Sequence, residues 1–372
     1  MHARQLAAAA SGDRLWISTM AGGWRARAAW RGLHPQRQPV RLLASAALAA
    51  ALAALPAAAR EPIVLRFSHV VAVDTPKGRA ADLFKRRAEE LTDGRVRVDV
   101  FPDGTLYTDR DEIQALQLGA VQMLAPSLSK FGPLGETEFE VFDLPFLFAG
   151  EADVRRVTEG AVGRRLLEKL EAKGIRGLAY WDNGFKSFSA NRPLHAPADY
   201  RGVRMRIQAS MVLDAQMRAL GALPQMMAFS DVHEALRTGA VDGTENPISN
   251  FWSQRMHEVQ RHLALTRHGY LGYAVVANKR FWDGLPSDVR RGLERALAEA
   301  TAHANALARE KDAQDLERVL AAGTTEVYAP TPEERLALKK ALAGVHRQME
   351  ARIGKRLVDE IHAAVRFDPD RL

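Results

Sequence analysis

Three hundred and seventy-two residues, 47% hydrophobic and 26% charged, suit one large or two medium globular domains. The formal charge is +7, yet residues 1–59 hold seven arginines and a single acid, Asp13, which leaves the rest of the chain at only +1. A basic surface for nucleic acid is therefore not expected of the folded part. The absence of cysteine excludes disulfides, thiolate metal sites and a cysteine nucleophile.

The first feature along the chain reads as a secretory leader. Arg31, Arg37 and Arg41 precede the run "LLASAALAAALAAL" from Leu42 to Leu55, then Pro56 and the small residues Ala57-Ala58-Ala59. Fourteen residues are too few to span a bilayer comfortably. An N-terminal anchor is the competing reading. Cleavage is expected near Ala59-Arg60 by the general secretory route, since no Arg-Arg pair precedes the run. No cysteine follows to carry a lipid, so the mature protein is expected to be free outside the cytoplasm.

Strand-like "IVLRFSHV" (63–70) comes next, followed by a helix over 75–94 with Thr75 as N-cap, Pro76 at its first position and Gly94 at its end. "RVRVDVFP" (95–102) alternates as a strand, 109–119 reads as a short helix and "VQMLAP" (121–126) as a third strand. The rhythm restarts after residue 174. "IRGLAYW" (175–181), "FKSFSA" (185–190) and "VRMRI" (203–207) read as strands, and 210–221 and 229–239 as helices. This predicts α/β architecture: two units in series, a mainly parallel sheet and a hinge between them. From Ser287 to Ala322 there is no proline and one glycine, with apolar residues three or four apart. A helix of that length outruns one small domain and is expected to cross both lobes. A coiled-coil dimer is the alternative, though the stripe is Ala-rich and lacks a leucine heptad.

The usual catalytic motifs are missing. "HEALR" (233–237) places Arg237 where a zinc protease needs its second histidine, and His262 lies one residue too far from His257 to share a helical face. Beyond the leader there is no nucleophile elbow, P-loop or dinucleotide fingerprint. Most histidines are expected at the surface or in caps. Two lobes on a hinge, without catalytic machinery, read as a ligand trap.

"VRMRIQAS" (203–210) raises the sharper question. Arg204 and Arg206 can be the wet face of a half-buried strand, or one of them can hold an anion in a cleft. Six blocks bear on it: "TPKG" (75–78), "FDLPFLF" (142–148), "WDNGFKSFSANRPL" (181–194), "RGVRMRIQAS" (201–210), "VDGTENPISN" (241–250) and "HGYLGYAV" (268–275). In this order they resemble the solute-binding proteins of TRAP (tripartite ATP-independent periplasmic) transporters, closest to the C4-dicarboxylate group. The resemblance runs from residue 66 to about 365.

It implies a two-lobed, class II-like periplasmic-binding-protein fold, with a hinge, a central cleft and a long helix across both lobes. Lobe I is expected over 60–183 plus about 272–311, and lobe II over 184–271 plus about 312–365. By the same resemblance Arg206 is the carboxylate clamp, with Lys186 and Asn246 at the other main contacts. Ser127, Phe229, His69 and Lys77 form a second tier. A planar guanidinium can hold a carboxylate by two parallel bonds, Lys186 supplies a compact second charge, and the Asn246 amide donates without charge. Arg204 is expected outside the cleft.

The implied function is a periplasmic receptor for malate, succinate or fumarate, acting as a monomer. It delivers its ligand to an ion-gradient-driven permease, and no cofactor, metal or nucleic acid is involved. Other small organic acids (2-oxo, aromatic or sugar acids), the input module of a carboxylate sensor, and a lyase using Lys186 as base are the alternatives.

Overall fold

The computed structural model describes residues 61–371, so the leader lies outside the described residues. Nine strands form one mixed sheet in the order β2-β1-β3-β8-β4-β7-β5-β6, with β9 beside β8. The strands are β1 (Ile63–Ser68), β2 (Val96–Phe101), β3 (Met123–Leu124), β4 (Ile175–Ala190), β5 (Arg204–Ile207), β6 (Leu223–Met226), β7 (Gly243–Asn246), β8 (His262–Asn278) and β9 (Glu326–Tyr328). The helices are α1 (Pro76–Leu91), α2 (Glu112–Gln117), α3 (Glu151–Thr158), α4 (Ala161–Lys169), α5 (Met211–Ala219), α6 (Val232–Arg237), α7 (Ile248–Ser253), α8 (Lys279–Asp283), α9 (Ser287–Ala322), α10 (Pro332–Ile353) and α11 (Lys355–Val365).

Two parallel blocks stand at the ends of this sheet: β2-β1-β3, and β7-β5-β6. Their crossovers run through helices, as parallel pairing requires. Between them lies the long antiparallel pair β4/β8, which corrects the expectation of a mainly parallel sheet. It also corrects the division of β4. Residues 175–181 and 185–190 are one continuous 16-residue strand, in which "DNG" (182–184) is a bulge and not a turn. Gly184 takes φ +134° there, a conformation open to glycine and strained for other residues. The 229–239 helix is likewise shorter, a 3-10 turn at Phe229–Asp231 followed by α6.

Local rules account for the helix ends. The Thr75 hydroxyl caps α1 by accepting from the Gly78 N–H at 3.1 Å, with Pro76 where its missing N–H costs nothing. α9 runs 36 residues, roughly 54 Å at 1.5 Å each, and stops at Gly323 with φ 63°. Its first half packs Val289, Leu293 and Ala300 with Leu65, Phe67, Phe84 and Trp181. Near its other end Val319 joins a separate core with Phe229, Val232 and Phe251. One helix thus seals two cores, and it does not need a second copy to bury its apolar stripe. No helix among the described residues is long and apolar enough to cross a membrane.

Candidate ligand-binding cleft

Strand β5 lies inside the sheet between β7 and β6, and all of its residues but Arg204 are buried. Arg206 is 1% exposed. Its Nε and Nη2 donate to the Met227 carbonyl at 3.1 and 2.8 Å, and its guanidinium carbon lies 5.6 Å from the Phe229 ring centre. No carboxylate among the described residues comes within 4.0 Å of it. Burial pulls its pKa down, while Asp109, Glu245 and Asp231 pull it up from further away. Arg204, at the strand's exposed end, instead holds Asp242 by two bonds of 2.9 and 2.6 Å.

Lys77 is the second buried cation without a carboxylate at ion-pair distance among the described residues. It sits in the first turn of α1, donates to the Ala125 carbonyl at 3.0 Å and lies 3.7 Å above the Tyr273 ring. Burial pushes its pKa down to about 8, opposed by Glu112 and Asp109. His69, fully buried, has no hydrogen-bond partner for either ring nitrogen among the described residues, and burial with the Lys77 charge pushes it down to about 3. It stays neutral at pH 7.

The same neighbourhood contains Asp109, which accepts from the Phe229 N–H at 3.2 Å and pairs with Lys130 at 2.6 Å. Ser127 comes beside β5 through Gln208, whose Nε2 donates to the Ser127 hydroxyl at 3.0 Å. Ser127 also bridges to Tyr273 on β8. A cavity of about 360 Å³ opens beside these groups, with Asp109, Lys130, Ala209, Met227 and Ala228 in its wall. A larger one, about 1020 Å³, lies between α9 and β4 and holds none of the predicted residues. Size alone does not mark a site; convergent charge does.

Lys186 is placed differently from expectation, because it already has a partner. Its ammonium lies 2.9 Å from Glu245 Oε1 and 3.9 Å from Asp143, all three buried. Glu245 reaches His268 at 3.1 Å, and His268 stacks on Phe188 at 3.6 Å. Burial works against the Glu245 carboxylate, but Lys186 and His268 outweigh it and hold its pKa below the usual value. Asp143 is pushed up to about 6 by burial, with Lys186 opposing. Asn246, next to Glu245 on β7, donates to the Thr244 hydroxyl at 3.2 Å and lies 3.5 Å from the Met256 sulfur. A Ser129 bond to Asp143 and another to Gln208 join this cluster to the β5 side.

The structure therefore brings Arg206, Phe229 and Ser127 together, and sets Lys77 and His69 beside them electrostatically. Lys186 and Asn246 belong to a second buried cluster linked to the first. Sequence reasoning missed Asp109, Glu112, Gln208, Asp143, Glu245, His268 and Tyr273. Five of these stand inside blocks already quoted, so the signal was present. His69, His257, His268 and His346 are buried, while the other five histidines among the described residues are not, so the expectation of surface or cap positions fails for these four.

Glu112 offers a direct reading of the cleft's electrostatics. It is 1% exposed, neither oxygen has a hydrogen-bond partner among the described residues, and burial pushes it up to about 7 against the pull of Lys77. A folded pKa above the unfolded 4.5 means a stabilising contribution that is complete below 4.5 and gone above about 7. Glu112→Gln removes this titration, so the fall in melting temperature from about pH 5 to about pH 8 should be shallower than in the parent. Parallel profiles would show that Glu112 ionises normally.

A two-lobed α/β fold that buries two cations with no carboxylate within 4.0 Å among the described residues is the frame of a solute-binding protein. The chain belongs to the bacterial extracellular solute-binding proteins, family 7 (DctP), whose model matches residues 67–352. That is a family of receptors, not of enzymes. It is 57% identical over 323 residues to the C4-dicarboxylate-binding periplasmic protein DctP of Rhodobacter capsulatus, covering 87% of this chain and 96% of that one. A TRAP solute-binding protein of Shewanella oneidensis, solved with bound succinate, is 42% identical with a TM-score of 0.80, covering 82% and 99%. One from Pseudomonas aeruginosa, with bound L-malate, is 42% identical with a TM-score of 0.76, covering 77% and 100%.

Proposed function

We propose that this protein is the periplasmic receptor of a TRAP transporter. It binds a C4-dicarboxylate such as succinate, malate or fumarate and hands it to an ion-gradient-driven permease without chemical change. The observation that carries this reading is the pair of buried cations, Arg206 and Lys77, with no carboxylate within 4.0 Å among the described residues. Charges kept from water need counter-charges, and a dianion brings two. Arg206 takes one carboxylate and Lys77 the other. Lys186, neutralised by Glu245, orders the cluster beside them, and Asn246 and Ser127 donate to ligand oxygens. The names of the relatives and the succinate and malate in the related structures support the same ligand class.

In this reading the lobe boundaries are those expected from the sequence, at 183/184, about 271/272 and about 311/312. All three cuts fall in the elements that join the two blocks, β4, β8 and α9. Calorimetric titration with succinate, its mono-amide and butyrate tests the ligand class. Succinate should bind at least about tenfold more tightly than either singly charged analogue, because each of those leaves one buried cation unmatched, and butyrate most weakly, since it also lacks the amide's hydrogen bonds. Equal affinities would overturn the dianion reading. Export through a cleaved signal is tested by the intact mass of secreted protein, expected to begin near Arg60. Retention of residues 42–55 would overturn it.

A further inference from the structure

A separate cavity of about 360 Å³ lies where β4, β8 and α9 meet, among Phe185, Tyr270, Ile248, Leu265 and Leu316. That volume suits a small organic molecule. Phe185 and Ser187 line it, whereas Lys186 between them meets Glu245 in the cluster already described. One strand therefore carries two different surfaces on alternate residues.

Its charges are arranged in opposition. Asp182, 5% exposed, accepts from the Tyr270 hydroxyl at 2.5 Å through Oδ1, while its Oδ2 has no protein partner among the described residues. Asp312, on the helix side, accepts from the Ser249 N–H at 2.9 Å. Burial pushes Asp312 up to about 7, so a neighbouring cation would favour its ionised form. The cavity also has two exposed arginines. Arg267, in the left-handed region at φ 46°, places its guanidinium 4.6 Å from the Phe185 ring centre. Among the described residues neither Arg267 nor Arg309 has a carboxylate within 4.0 Å.

We propose that this cavity is a second binding site, for a small zwitterion with an apolar body: an apolar α-amino acid. Its ammonium meets Asp182 and Asp312, its carboxylate meets Arg267 and Arg309, and its side chain fills the wall of Phe185, Tyr270 and Leu316. A simple anion would face Asp182, Asp312 and Glu151, which also lines the cavity, and a simple cation the two arginines. Only a ligand with both charges matches both. This site goes beyond the dicarboxylate reading and does not depend on it.

The test is titration calorimetry on the mature protein saturated with succinate, with L-phenylalanine, 2-phenylethylamine and 3-phenylpropanoate as probes. L-Phenylalanine should bind one to one, at least about tenfold tighter than either singly charged analogue. Asp182→Asn and Arg309→Ala should each weaken it by about tenfold or more, and Ala313→Leu, on the exposed surface of α9, should block it by filling the cavity. Succinate titration of each variant, with circular dichroism, serves as the folding control. No heat from phenylalanine up to about 10 mM would overturn the proposal, since that limit lies beyond even weak specific binding. So would equal affinities for the three probes, displacement by succinate, or indifference to Ala313→Leu.

Discussion

Arg206→Ala is expected to weaken succinate binding by about thirtyfold to several-thousandfold, the equivalent of roughly 2–5 kcal/mol. The range follows from burial. At 1% exposure the guanidinium has lost its water, and two of its donors already point at the Met227 carbonyl. The remaining donors are free for a carboxylate, which would be held by charge-assisted bonds. Alanine removes those bonds and leaves the ligand's charge desolvated without a partner. The fold should survive, because the variant loses a buried charge and leaves one carbonyl unpaired, a penalty of about 1–3 kcal/mol. Arg204→Ala is the control two residues away. Its guanidinium, 43% exposed and paired with Asp242, should leave affinity within about threefold, as exposed ion pairs contribute little. Titration calorimetry with circular dichroism measures both. Loss of binding in Arg204→Ala with retention in Arg206→Ala would mean that the clamp has been assigned to the wrong arginine.

What the sequence made legible was local. α9 begins at Ser287 and ends at Ala322, as read, because nothing interrupts its periodicity and Gly323 stops it. The start of α1 was equally plain, since Thr75 and Pro76 act on adjacent backbone. β4 was misread for the opposite reason. Asn183 and Gly184 carry turn chemistry, but pairing with β8, about ninety residues further on, holds the chain extended through a bulge. Strand direction was lost in the same way, because an apolar alternation looks identical in parallel and antiparallel partners.

The site shows the same division. Arg206 is legible as a residue type in a motif, but its surroundings are not. Asp109 reaches the Phe229 backbone across 120 residues, and Lys186 meets Glu245 across 59. No spacing rule connects such pairs. A motif can therefore identify a lysine without revealing that a glutamate already holds it.

That pairing gives the second large expectation, which concerns stability. Lys186→Met should destabilise the unliganded protein by about 3–5 kcal/mol, because it leaves carboxylates buried without their counter-charge. Glu245 and Asp143 are 2% exposed each, and Lys186 opposes the burial of both. His268 cannot replace it, since burial lowers its own pKa and favours the neutral ring. The loss should depend on pH. Without the ammonium, Asp143 rises further above its unfolded pKa, and Glu245, which Lys186 holds below its usual value, is expected to rise above it as burial takes over. Their contribution is then present in full only below the unfolded values and is lost as pH rises through the folded ones. The variant should accordingly fall furthest behind the parent at about pH 8 and recover part of the gap near pH 5. Adding Glu245→Gln removes the charge that Lys186 neutralised while keeping the side chain's shape. Lys186→Met with Glu245→Gln should thus regain more than half of the lost stability, a coupling that a double-mutant cycle in urea reads directly. If Glu245→Gln only adds its own loss to that of Lys186→Met, then Lys186 supports the fold by packing alone. Its ammonium would in that case remain available to a ligand, and the second carboxylate would belong to Lys186 instead of Lys77.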